Sequence, residues 1–89
     1  MESMFNNCKS LETINLEGFS TDSAYIMDYM FNSCIKLKSL NIVSFNTEKC
    51  ISFKNIFNNC AGLELYLNPN ICYNLLPNIP SDVIIHNVT

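Results

Sequence analysis

The sequence predicts an α/β solenoid, with a short parallel sheet on one face and helices on the other, in about three repeats plus a C-terminal cap. Two observations carry that prediction. The first is a recurring phrase. Met4-Phe5-Asn6-Asn7-Cys8-Lys9-Ser10-Leu11 returns as Met30-Phe31-Asn32-Ser33-Cys34-Ile35-Lys36-Leu37, and again as Ile56-Phe57-Asn58-Asn59-Cys60-Ala61-Gly62-Leu63. Phe5, Phe31 and Phe57 recur every 26 residues, as do Cys8, Cys34 and Cys60, and Leu11, Leu37 and Leu63. A fixed period in this range marks stacked supersecondary units, none of which can bury its apolar side alone. The second observation is that the hydrophobic period changes inside each unit, from helical to alternating.

The helical half comes first. Met27, Met30, Phe31 and Cys34 fall at i, i+3, i+4 and i+7, which predicts a helix of about three turns with one apolar stripe. Thr21 is in place to cap it, with the carboxylate of Asp22 in the first turn, where the helix dipole favours negative charge. Thr47 and Glu48 repeat that arrangement ahead of Phe53, Ile56, Phe57 and Cys60.

After each cysteine the period shortens. Leu11, Ile14 and Leu16 share an LxxLxL spacing with Leu37, Leu40 and Ile42, and its alternating end predicts a short strand with one buried face. The third copy, Leu63, Leu65 and Leu67, is one residue shorter. Phe19 and Phe45 turn inward at the following corner, and Gly18 and Ser44 ease the bend. Stacking such units pairs the strands in parallel, and residues one period apart form columns through the core.

The phrases MFNNCKSLETINLEGFST and MFNSCIKLKSLNIVSFNT resemble the 26-residue leucine-rich repeats of the BspA-like surface proteins. The resemblance covers roughly residues 1–67. It implies a leucine-rich-repeat fold and a role in adhesion or protein binding, at the cell surface or in secretion for a piece of a longer family member, and in the cytoplasm otherwise. Residues 1–67 are thus the repeats, and 68–89 an irregular capping segment. In that segment Asn68-Pro69-Asn70 signals a turn, Ile71 to Leu76 is too short for another full helix, and Val83-Ile84-Ile85 offers a last strand.

Composition narrows the function. Eight carboxylates stand against five lysines, and arginine is missing, giving a net charge of −3. Nucleic acid is therefore not an expected partner. No apolar run reaches the roughly 18 residues of a membrane span, so no membrane insertion is expected, and Met1-Glu2-Ser3-Met4 has no signal-peptide pattern.

Five cysteines raise the question of metal or redox chemistry. Cys8, Cys34 and Cys60 occupy one slot in successive units, so their sulfurs stack rather than converge, and all three are expected to be buried and unreactive. Cys50 aligns with Ala24 and fills a small-residue site. No CxxC spacing occurs and His86 is the single imidazole, so no metal or cofactor is expected. A Cys72–His86 nucleophile pair lacks a third group to orient it, and His86 reads as a solvated side chain. Glu12, Glu17, Asp28 and Glu48 read as outward, solubilising charges. The sequon Asn87-Val88-Thr89 reads as accidental. The chain is not expected to be an enzyme.

What remains is surface shape. The candidate partner-binding face is the outer side of the sheet: Thr13, Ser39 and Glu64, with Asn15, Asn41 and Tyr66 beside them. Two functions follow, a protein-interaction module and a structural or self-assembling repeat. Met1 aligns with Met27, so the first unit begins partway along its helical half and leaves Met4, Phe5, Leu11, Ile14 and Leu16 without a preceding unit. The expected consequence is a homodimer through the N-terminal end, most simply a symmetric one.

Overall fold

The computed structural model describes every residue except Met1, Asn15, Glu17 and Thr89. Four strands form one parallel sheet in chain order: β1 (Thr13–Ile14), β2 (Ser39–Asn41), β3 (Glu64–Leu67) and β4 (Ile84–Asn87). Thr13 pairs with Ser39, one period away, and Ser39 pairs with Glu64, one residue short of a period, because the third copy is one residue shorter. The alternation behaves as the leucine spacing requires. Leu40 and Leu65 enter the core while Asn41 and Glu64 stay exposed.

The expected helices are not formed. Among the described residues the one helical segment is a 3-10 turn at Leu76–Asn78, in the capping region. Between the strands the chain instead runs through successive turns, with Ser3, Tyr29 and Asn55 in one row at positive φ and Asn7, Ser33 and Asn59 in a second. Left-handed residues four apart stop an α-helix from propagating.

The backbone donors that a helix would use internally are divided between two kinds of partner. Asn32, Cys34 and Leu37 bond back three residues within their own unit, to Tyr29, Phe31 and Cys34. Met27, Tyr29, Phe31 and Ser33 instead donate across to the carbonyls of Ser52, Lys54, Ile56 and Asn58 in the next unit. A second ladder thus runs beside the sheet, and every alternate N–H of the turn region depends on a neighbouring unit.

The apolar stripe survives this change of backbone. Met27, Met30, Phe31 and Cys34 are all fully buried, because two consecutive turns present the same residue spacing inward as a helix would. Phe31 stacks between Phe5 and Phe57, with ring centroids 5.5 Å apart on both sides and planes within 6° and 3° of parallel. Phe45 is buried at the corner against Phe19, and Gly18 takes a φ of +77° before it.

The threonines expected to be helix caps do other work. Both are buried. The Thr21 hydroxyl donates to the Asn46 carbonyl and accepts the Asn46 N–H, each at 3.0 Å, so it staples one unit to the next. Thr47 occupies the same place one unit on. Its hydroxyl donates to Asn74 Oδ1, and Asn74 Nδ2 donates to the carbonyls of Thr47 (2.6 Å) and Cys50 (3.2 Å). These bonds tie the segment after β3 to the repeats. There Cys72, Leu75 and Val83 join the core and Leu76 and Ile79 pack against it.

The opposite end is more open. Met4 is 51% exposed and Leu11 39%, and Phe5, Cys8 and Ile14 are half-buried, whereas Leu16, expected to be uncovered with them, is buried. The body measures 29 × 25 × 24 Å.

Candidate interaction surface

Strand pairing sets the outward residues in two rows. Thr13, Ser39, Glu64 and Ile84 are aligned across the sheet, and Asn41, Tyr66 and His86 form the row beside them. Five of the six residues named from the sequence therefore share one face. Asn15 lies outside the described residues.

Two residues join the face that sequence reasoning did not assign to it. His86 lies flat against Tyr66, with centroids 4.5 Å apart and planes within 10°, and its Nε2 is 3.1 Å from Glu64 Oε1. It is thus fixed by two neighbours, not free in solvent, because β4 extends through Asn87 and brings position 86 beside position 66. Ile84 adds an exposed aliphatic side chain next to Glu64. The signal was in Val83-Ile84-Ile85, which marks a strand without revealing which residues it will face. Asn41 is less available than its exposure implies, since its Oδ1 accepts the Val43 N–H at 2.9 Å in an Asx turn.

Chemically, this patch offers a flat aromatic pair, one carboxylate and an aliphatic wall. Cys72 is no part of it: its thiol is in the core, 3.1 Å from the Asn68 carbonyl, so it and His86 do not form the nucleophile pair weighed from the sequence. Among the described residues no group of three or more His, Cys, Asp or Glu side chains converges as metal ligands. An open groove of about 520 Å³ lies where the chain enters the strands; Ser10, Leu37, Gly62 and the exposed Glu12–Lys38 ion pair (2.9 Å) line it.

All five cysteines are free thiols, but the expected burial of the 8, 34, 60 column holds only in part. Cys34 and Cys60 are buried and donate to the carbonyls of Phe5 (3.1 Å) and Phe31 (3.0 Å), the phenylalanines one unit earlier. Burial pushes the Cys34 thiol up to about 11 and raises those of Cys50, Cys60 and Cys72. Cys8 is only half-buried, at the end of the column. A maleimide at pH 7.5 should therefore label one thiol quickly, at Cys8, and the other four only on unfolding, since the thiolate is the reactive form. Mass spectrometry finding Cys34 or Cys60 labelled first would contradict this.

Asp28 corrects the outward placement expected for it. It is buried, and its Oδ1 accepts from the Ser52 hydroxyl (2.6 Å) and the Lys54 N–H (2.8 Å) across the unit boundary. The Ser52 bond first, then the Lys54 N–H, holds this carboxyl below the usual range against the opposing effect of burial. A depressed pKa means that the stabilisation is present above the unfolded value, near pH 4, and is lost as pH falls through the folded one. The stability gap between the parent and Asp28→Ala, about 1–3 kcal/mol at pH 7, should accordingly shrink below pH 4 in urea titrations. A gap constant from pH 7 to pH 2.5 would exclude a role for the charge.

A parallel sheet built from 26-residue units, with a polar and aromatic outer face, defines a small repeat protein. The chain belongs to the family described as "Mycoplasma protein of unknown function, DUF285", whose sequence model matches residues 1–71. No curated protein and no solved structure matches it.

Proposed function

We propose that this chain is a protein-binding module of the leucine-rich-repeat type, a short solenoid akin to the BspA-like repeats, non-catalytic and without a cofactor, serving an adhesin-like role. Its partner is a protein that docks on the outer face of the sheet, over Thr13, Ser39, Asn41, Glu64 and Tyr66, with Ile84 and His86 completing the patch. The observation that carries this reading is the Tyr66–His86 stack with Glu64 beside it. A tyrosine already ordered by a neighbour loses little entropy on binding and offers both apolar area and a hydroxyl, which is why such residues anchor interfaces.

The test is site-specific photo-crosslinking on the source cell surface and in cell extract. A photoreactive amino acid at position 66 or 41 should capture the same protein, and one at exposed Asn58, outside the sheet, should not. Capture from position 58 alone would place the binding surface elsewhere. A second reading, self-assembly through the N-terminal end, is favoured by one observation, the exposure of Met4 and Leu11 on that side.

A further inference from the structure

We infer that Glu64 is the seat for one cationic side chain, a lysine or arginine, of the protein that docks on the sheet, and that protonated His86 closes this seat by occupying it from within the chain. The inference rests on the protein-binding reading above and names the chemistry the partner brings to that face.

Charge on the face comes first. Across its two rows, Thr13, Ser39, Glu64 and Ile84, then Asn41, Tyr66 and His86, the carboxylate of Glu64 is the one charge present while the imidazole is neutral. Lysine does not balance it. The Lys38 carbonyl takes the Glu64 N–H at 3.0 Å, but the Lys38 ammonium is held 2.9 Å from Glu12. Among the described residues the basic group within ion-pair distance of Glu64 is His86, at 3.1 Å. That contact uses Oε1 alone, and the Glu64 side chain keeps 48% of its surface exposed, so the carboxylate is open to a further donor.

The same contact fixes where the protons sit. A carboxylate only accepts, so the Nε2 facing it carries hydrogen in either state of the ring, and the second proton goes to Nδ1. Neutral His86 therefore gives Glu64 one ordinary hydrogen bond and leaves its charge uncancelled. Protonated His86 makes a charge-assisted bond to the same oxygen and cancels it. The Tyr66 ring, 4.5 Å away and within 10° of parallel, holds the imidazole in place, so the new charge develops beside Glu64. No other titratable group enters: β3 faces His86 with Glu64 and Tyr66, β4 carries none besides His86, and β2 brings Ser39 and Asn41.

A partner's cation thus meets two different surfaces. At neutral pH it finds an open carboxylate beside an aromatic ring, surroundings that suit an ammonium or guanidinium. In acid it must displace an imidazolium that is already ordered and loses little entropy by staying. An anionic partner is repelled by Glu64 in the first state and meets no net charge in the second.

The probe is the peptide acetyl-Gly-Arg-Gly-amide, with its citrulline counterpart as a control of similar shape and no charge. Each is titrated into the whole chain and followed by the NMR shifts of Glu64 and Tyr66 at pH 7.5 and 5.5, between which histidine changes charge and glutamate does not. The arginine peptide should bind on the order of threefold more weakly at pH 5.5 than at pH 7.5, as suits one exposed ion pair. Glu64→Gln should abolish its binding. His86→Phe, which keeps a ring against Tyr66 without a charge, should bind it with one affinity at both pH values. No binding of the arginine peptide at pH 7.5, equal binding at both pH values, a citrulline peptide that binds as well, or a pH dependence that persists in His86→Phe each overturns the inference. Crosslinking from position 41 separates this from the wider reading. Capture of a protein there alongside a failed arginine titration removes the seat and keeps the docking face, whereas a pH-gated titration without capture keeps the seat and removes the protein partner.

Discussion

Replacing Phe31 by alanine should lower the unfolding free energy by about 3–5 kcal/mol. The ring is fully buried and sandwiched between Phe5 and Phe57, so its removal opens a cavity between two units that the backbone ladders prevent from closing. Phe5→Ala should cost clearly less, since Phe5 has a phenylalanine on one side and is half-buried. Urea unfolding followed by circular dichroism measures both. A loss below about 1 kcal/mol at Phe31 would mean that the phenylalanine column is not the centre of the core.

Asn74→Ala should be the next most damaging change, at about 2–4 kcal/mol, from three hydrogen bonds at roughly 1 kcal/mol each plus the stranding of their partners. Those partners are the Thr47 hydroxyl and the carbonyls of Thr47 and Cys50, and Thr47 is fully buried. Because these bonds hold the segment after β3, the loss should show first as faster amide exchange in β4, including His86, before the repeats themselves open. A variant with parental stability and unchanged exchange in β4 would assign the anchoring to Cys72 and Leu75 instead.

Much of the fold was legible because repetition leaves little freedom. Residues one period apart must meet if the units stack, so the phenylalanine column, the buried leucines of β2 and β3 and the parallel register followed from spacing. The outward rows of the sheet followed from the same register, down to the place of the third copy, one residue short. His86 and Ile84 were missed because the segment that brings them to the face has no counterpart at 26 residues, and a strand outside the period carries no register of its own. Asp28 was misplaced because a carboxylate at an unremarkable position looks solvated until its acceptors' partners, Ser52 and Lys54, are seen across a unit boundary.

The helices failed for a more general reason. Met27, Met30, Phe31 and Cys34 have helical spacing and are buried as that spacing requires, yet the backbone beneath them is a series of turns. The pairs Asn6-Asn7, Asn32-Ser33 and Asn58-Asn59, ahead of each cysteine, were the available warning, since asparagine tolerates the left-handed conformation found at Asn7 and Asn59. The sequence by itself determined which side chains are inside and which residues of successive units lie together, because apolar burial and a fixed period are properties of the residues in order. Tertiary structure alone decided where the backbone donors go, because the N–H of Phe31 could be satisfied within a helix of its own unit or by a neighbouring unit, and the carbonyl of Ile56, 2.9 Å away in the next unit, takes it.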